Sequence, residues 1–182
     1  GEKDVEAFVK EAENDHRVLI VVEEEREKFC QVLRDSRTSL YRLALSVTRN
    51  SADAQEAVAE AVCRAYERYP QLREKEKLPR WLLKITANEA RRLCQRRGRT
   101  VSLDDLPTEP AIPGRETGDD TLWQAVQTLP RDQREAVVLF YYEDLPTEEI
   151  ARIVGTSPGA VRVRLSRARE KLRSILKEGD YG

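Results

Sequence analysis

The sequence has few of the residues from which metal sites are built. It contains one histidine (His16) and three cysteines, Cys30, Cys63 and Cys94, which lie far apart along the chain. A structural zinc site needs four closely spaced Cys or His ligands, so we expect none, and the cysteines are predicted to be buried free thiols. Aromatic residues make up only 6% of the 182 positions and charged residues 36%, which favours a helix-rich polar chain.

The sequence also lacks long apolar runs. No window is long and apolar enough to span a bilayer, and no secretory leader is visible, so we expect a cytoplasmic protein without membrane insertion. There is no glycine-rich phosphate loop and no plausible pair of nucleophile and base. We therefore expect no enzyme activity, no catalytic residue, no metal and no cofactor.

The net charge of −1 conceals a segregation of charge along the chain. Residues 73–99 carry ten Lys or Arg against three Glu, and residues 162–177 carry seven against Glu170 alone. Acidic residues dominate positions 1–28 and 100–120. Two basic patches separated by acidic segments predict two contact points on a polyanion.

Residues 145–172 carry the clearest local pattern. Thr147 is predicted to cap a short helix whose inner face is formed by Ile150, Ala151 and Val154. Gly155 is predicted to end that helix in the left-handed conformation. Ser157 then caps a second helix, with Pro158 at its first position.

The second helix is amphipathic and basic. Its inward stripe is predicted to be Val161, Leu165, Ala168 and Leu172. Arginine and lysine cover the rest of its surface. Two short helices joined by a glycine turn, with the second one basic, are typical of a helix-turn-helix that places its second helix in the DNA major groove. The alternative is a solvated surface helix of a bundle.

The remaining chain predicts an all-α fold of two small helical domains joined by a flexible linker. A long helix is expected from about residue 24 to 49, a second one to Tyr69 and a third one from about Arg80. Asp132 and Glu135 are predicted to form a capping box. The predicted segments are an N-terminal extension of unknown role (1–22), a first domain (23–99), a proline-rich linker (100–120), a helix-turn-helix domain (121–177) and a tail (178–182).

This arrangement resembles an extracytoplasmic-function (ECF) sigma factor of bacterial RNA polymerase. The resemblance rests on SLYRLALSVTRNSADAQEAVAEAVCRAYERY (39–69), PRWLLKITANEARRLCQRR (79–97) and LPRDQREAVVLFYYEDLPTEEIARIVGTSPGAVRVRLSRAREKL (129–172). It covers about residues 26–176. It implies an alternative sigma factor that binds core RNA polymerase, recognises and melts promoter DNA, initiates transcription and is controlled by an anti-sigma factor. The linker would thread through the polymerase toward the RNA exit path.

The resemblance also implies roles for individual residues. Contacts to the polymerase, through its β′ and β subunits, are expected to include Asp53, Glu56, Glu60 and Arg64. The residues expected at the −10 element are Arg73, Lys75, Lys77, Trp81, Lys84, Asn88, Arg91, Arg92 and Arg96, where basic groups hold phosphates and a polar-aromatic pocket captures a flipped base. Those expected at the −35 element are Ser157, Arg162, Val163, Arg164, Ser166, Arg167, Arg169 and Lys171, with Arg169 and Lys171 on phosphate.

Three positions depart from the commonest family pattern. Ala59 stands where glutamine is frequent, Arg92 replaces a common aspartate, and Val163 replaces a common serine. These departures leave the class unchanged but bear on the promoter sequence. A second hypothesis is a stand-alone helix-turn-helix transcriptional regulator, which usually needs two-fold symmetry and a palindromic site. The sequence shows no heptad seam for such a dimer.

Overall fold

A computed structural model describes residues 2–98 and 120–179. This part of the chain consists of seven α-helices with short 3₁₀ and π segments, and no strand occurs in it. The predicted all-α fold is confirmed. Two compact units are present, Gly1–Asp35 and Ser36–Gly182. No helix within the described residues has the length and apolarity needed to cross a membrane.

The first helix is longer than the sequence pattern predicts. α1 spans Glu2–Thr48, so the expected start near residue 24 is wrong. Neither glycine nor proline occurs between residues 2 and 48, and charged helix-forming residues flank the apolar run at 18–22. Without a breaker, the helix continues through that run.

A tight break separates α1 from α2, which spans Ser51–Arg68. Arg49 takes a positive φ of 54°, and the Asn50 side chain accepts a hydrogen bond from the Asp53 N–H at 3.0 Å. Asn50 thus caps α2. Two 3₁₀ turns, Tyr69–Gln71 and Lys75–Lys77, lead to α3, which spans Leu78–Arg97.

The second helical group follows residues 99–119, which contain most of the predicted linker and lie outside the described residues. Its helices are α4 (Asp120–Gln127), α5 (Arg131–Val137), α6 (Thr147–Val154) and α7 (Pro158–Gly179), with a π-helical continuation of α5 over Val138–Tyr142. Its core is formed by Trp123, Val126, Leu129, Leu139, Ile150, Val161 and Leu165.

The turn between α6 and α7 matches the prediction. Gly155 has φ 75° and ψ 45°, and its N–H donates to Ala151 O at 2.9 Å. The Ser157 hydroxyl accepts from the Ala160 N–H at 3.1 Å, which caps α7. The predicted inward stripe of α7 is buried, whereas α6 buries Ile153 rather than Val154.

Two predicted caps are wrong for the same physical reason. Pro130 occupies the cap of α5 and Pro146 that of α6, each with extended ψ and no side-chain bond. The Pro130 carbonyl accepts from the third and fourth residues beyond it, so the helix starts at Arg131. Asp132 therefore lies inside the first turn, where it accepts from the adjacent Gln133 N–H. Thr147 likewise becomes the first helical residue.

The two helical groups pack against each other within Ser36–Gly182, with α3 in contact with α6. The sequence predicts them as separate domains on a tether, and their boundaries remain a prediction. All three cysteines are free, as expected. The predicted burial is wrong, since Cys63 is exposed and Cys30 and Cys94 are half-buried.

Replacement of Gly155 by alanine tests the left-handed turn. A Cβ there meets no atom within 4 Å, so the cost is backbone strain alone. We expect Gly155→Ala to lower the free energy of unfolding by about 1–2 kcal/mol in urea titrations. Gly159→Ala, inside α7 with ordinary contacts at 3.9 Å, is the matched control and should be neutral or stabilising. Equal losses in both variants would contradict this account of the turn.

Candidate nucleic-acid interface

The outer face of α7 is polar and exposed. Its buried stripe turns the opposite side of the helix toward solvent, where Arg162, Val163, Ser166, Arg167 and Lys171 are exposed. No ion pair within the described residues holds Arg162 or Arg167. This face offers cationic and hydroxyl donors to a groove or a phosphate backbone.

Two other arginines of α7 are held by their own helical group. Arg169 Nε donates to the Tyr141 hydroxyl at 2.5 Å, and its guanidinium lies 5.6 Å from the ring centres of Phe140 and Tyr141. Arg164 Nε lies 3.8 Å from Asp132 Oδ2. Both are half-buried. These contacts fix the direction in which each guanidinium leaves the helix.

A polar stripe runs along α3. Lys84, Asn88 and Arg92 recur every four residues and therefore share one face. Lys84, Arg92 and Arg96 are exposed, whereas Trp81, Asn88 and Arg91 are half-buried. Arg91 Nη1 donates to Asn88 Oδ1 at 3.2 Å. The helix thus brings together the predicted −10 residues beyond position 80.

The residues expected to contact the −10 element before α3 lie on the 3₁₀ segments and their loop. Lys75 donates to the Tyr69 carbonyl, and its ammonium lies 4.0 Å from the centre of the Tyr69 ring. Lys77 pairs with Glu74 at 2.5 Å. Arg73 is exposed.

Three of the four α2 residues predicted to contact the polymerase form ion pairs with α3. Arg97 Nη1 lies 2.6 Å from Asp53 Oδ1, and Arg97 Nη2 lies 2.9 Å from Glu56 Oε2. Arg64 Nε lies 3.3 Å from Glu60 Oε1 in the same helix. The predicted polymerase and −10 surfaces therefore meet at one groove between α2 and α3.

Glu89 connects these two surfaces, and the sequence patterns did not identify it. Its Oε1 lies 2.9 Å from Arg64 Nε and 3.1 Å from Arg92 Nη1, and its side chain is only 5% exposed. A buried carboxylate shared by two arginines fixes both guanidiniums. The sequence does contain one sign of its importance, because Glu89 is the single acidic residue of α3 and lies among basic ones.

Known sigma-factor families match most of this chain. The model described as "Sigma-70 region 2" matches residues 33–100, and the model described as "Sigma-70, region 4" matches residues 119–172. RNA polymerase sigma factor SigV of Bacillus subtilis (strain 168) is 31% identical over 150 residues, which cover 81% of this chain and 90% of SigV.

A second relative carries the ECF designation. ECF RNA polymerase sigma factor EcfG of Rhodopseudomonas palustris (strain TIE-1) is 32% identical over 143 residues, covering 76% of this chain and 79% of EcfG. The chain belongs to the ECF family of RNA polymerase sigma factors. Such a factor binds core RNA polymerase and directs it to promoter DNA, which sets aside the hypothesis of a stand-alone regulator.

Two solved structures have the same fold. The sigma factor RpoE from Bartonella quintana, solved with the anti-sigma factor NepR, matches with a TM-score of 0.69 and 28% identity over 82% of this chain and 96% of RpoE. CnrH, solved with the cytosolic domain of CnrY, matches in fold with a TM-score of 0.60 and 22% identity, covering 82% and 88% of the two chains.

Neutralising Glu89 tests the charge network of the sigma factor. Glu89→Gln removes the shared partner of Arg64 and Arg92, so we expect a loss of about 1–3 kcal/mol in the free energy of unfolding. Glu60→Gln is the matched control, because its carboxylate pairs with the same Arg64 but is 52% exposed. That variant should lose less than about 1 kcal/mol in the same urea titration. Equal losses in the two variants would show that the buried Glu89 stabilises the fold no more than an exposed ion pair does.

Proposed function

We propose that this ECF sigma factor reads two promoter elements with two different helices. The exposed basic face of α7 enters the major groove of the −35 element, and the polar stripe of α3 binds the −10 element as it melts. The observation that carries the proposal is the outer face of α7, where Arg162 and Arg167 are exposed and held by no ion pair in the described part of the chain.

The two helices suit different tasks. A capped, rigid recognition helix can place arginines at base edges, where a bidentate contact discriminates between bases. On α3, Lys84 and Arg96 offer charge to phosphates, and half-buried Trp81 offers a ring face to an unstacked base. Because Val163 stands where serine is common in the family, it changes which bases of the −35 element α7 prefers.

The acidic side of α2 is proposed to dock on the β′ subunit of the polymerase, with the β subunit as a further contact. Glu56 and Glu60 remain exposed there although they pair with Arg97 and Arg64, so a basic partner can approach both carboxylates. The factor supplies promoter specificity and performs no chemistry of its own. Because its partner is RNA polymerase, we place its action in the cytoplasm.

Control by an anti-sigma factor completes the proposal. The supporting observation is that RpoE, which shares this fold, was solved in complex with the anti-sigma factor NepR. An inhibitor bound to the α2–α3 groove or to α7 would block the surfaces assigned above. Affinity purification of the full chain from its native cell should recover both polymerase and such an inhibitor.

Transcription with purified core polymerase tests the function directly. We expect the full chain to direct specific transcripts from a subset of genomic fragments, because promoter specificity is what a sigma factor adds. Transcript sequencing from reactions with and without the factor provides the measurement. The function is refuted if no fragment is stimulated.

Replacing one exposed arginine tests the assignment of α7. Arg167→Ala should lower transcription from the responsive promoters about 5- to 150-fold, equivalent to about 1–3 kcal/mol for one specific contact. Lys177→Ala removes the same charge from the C-terminal end of α7 and should change transcription less than about threefold. Similar losses in both variants would favour a general charge effect over readout by α7.

A further inference from the structure

One arginine of the polar stripe of α3 is anchored on one side and open on the other. Arg92 Nη1 donates to Glu89 Oε1 at 3.1 Å, one turn earlier in the same helix. Its Nε and Nη2 have no partner among the described residues, and 58% of its side chain is exposed. In a guanidinium these two nitrogens share one edge and present two parallel N–H donors. Arg92 therefore offers a complete two-donor edge to solvent.

The carboxylate that anchors Arg92 is itself held in place. Glu89 is only 5% exposed, and its Oε1 also lies 2.9 Å from Arg64 Nε of α2. Arg64 Nε lies 3.3 Å from Glu60 Oε1 in turn. A buried carboxylate that is bound from a second helix keeps its position, and a side chain bonded to it keeps its rotamer. Glu89 therefore fixes the direction in which the Arg92 guanidinium points.

The other basic residues assigned to the −10 element on α3 lack this combination. Arg91 uses both Nη atoms inside the protein, one of them on Glu135 at 2.8 Å, and its side chain is only 25% exposed. Lys84 and Arg96 are exposed, and neither forms an ion pair within the part of the chain that the structure describes. An unpaired flexible cation can follow a phosphate backbone, whereas an anchored guanidinium holds a fixed edge. Arg92 is thus the arginine of the stripe suited to a base edge.

The charges around Arg92 also favour a base over a phosphate. Glu60, Arg64, Glu89 and Arg92 form one ion-pair cluster of two acids and two bases, so its formal net charge is zero. A neutral cluster contributes little to the sequence-independent attraction between protein and phosphates. The directed N–H donors of Arg92 do not depend on this balance, so they can still discriminate between base edges.

Resting on the proposed function, we propose that Arg92 reads a guanine of the −10 element and that Glu89 is its positioning residue. Guanine presents two acceptors, O6 and N7, on its major-groove edge, and the paired donors of an arginine match them. The other three bases have at most one acceptor on that edge, so each leaves a donor of Arg92 unpaired. The guanine is therefore selected by the number of acceptors it offers.

The residue type at position 92 determines this preference. An ionised aspartate, the common residue at this position in the family, only accepts hydrogen bonds and does not match the acceptors of guanine. The preference for guanine is therefore expected of this chain and not of relatives with aspartate there.

Transcription from a randomised promoter element tests the role of Arg92. The templates are one responsive genomic promoter with its −10 element randomised and a downstream barcode, pooled in one reaction with core polymerase and the full chain. The parent should prefer guanine at one position about 5- to 150-fold, the range for one bidentate contact, and Arg92→Gln should remove that preference. Barcode sequencing of the transcripts gives relative yields within one pool, which do not depend on the amount of folded factor.

Arg96→Gln is the matched control for this experiment. Arg96 is exposed and lies one turn beyond Arg92, without an anchoring carboxylate among the described residues. Its replacement should lower transcription from all templates alike and change each base preference less than about twofold, as expected for a phosphate contact. An Arg92→Gln variant that also affects all templates alike would overturn the proposal, because Arg92 would then contact a phosphate or an acidic residue of the polymerase.

Removal of one guanine atom tests the contact itself. 7-Deazaguanine lacks the N7 acceptor but keeps its Watson–Crick pairing and its phosphate. At the selected position it should lower transcription by the parent about 5-fold or more and leave transcription by Arg92→Gln unchanged. Equal effects on the two proteins would overturn the proposal.

Glu89→Gln tests the positioning role in the same template pool. Without its charged anchor, Arg92 has to be ordered on binding, so the guanine preference should fall about 2- to 12-fold while the other preferences stay. Glu60→Gln leaves Glu89 in place and should keep the preference of the parent. A parental preference in Glu89→Gln would overturn the positioning role.

The two levels of the proposal fail in different ways. A parent that stimulates no genomic fragment would refute the proposed function. A parent that directs transcription but shows no guanine preference in the −10 element would overturn the role of Arg92 alone.

Discussion

Pairing between guanidinium and carboxylate groups is the interaction on which this arrangement of helices depends. Glu89 joins α2 to α3 through Arg64 and Arg92, while Glu135 joins α3 to α5 through Arg91. Each acid is buried and would be costly without its partner. Arg91 and Arg92, which we propose to contact DNA, therefore also make tertiary contacts within the protein.

The arginines can form these internal ion pairs because closely packed helices fix the positions of their side chains. The buried residues of α2 are all alanines (Ala54, Ala57, Ala61 and Ala65), which let its backbone lie close to α3. The longer charged side chains beside this apolar seam then span the gap between the helices. The alanines let the two helices approach closely, and the long charged side chains at the edge of the seam then link them.

Local features were the most predictable from the sequence. The left-handed Gly155, the Ser157 cap and the buried stripe of α7 each follow from short-range rules, and all three are present. Prediction failed where a neighbour competed: Pro130 displaced Asp132 from the cap, and Glu135 faced Arg91 instead of the helix N-terminus. Partners 44 positions apart, as in that pair, leave no periodic trace in one sequence.

A side chain from the second helical group, which is distant in sequence, caps the C-terminal end of α1. The last carbonyls of a helix lack intrahelical donors, and here Arg134 supplies them for Ser46 and Val47. Order in this terminal turn and docking of the second group are therefore thermodynamically linked, and each must favour the other to the same degree. A change that undocks the second group would leave these two carbonyls to bond water in place of the guanidinium.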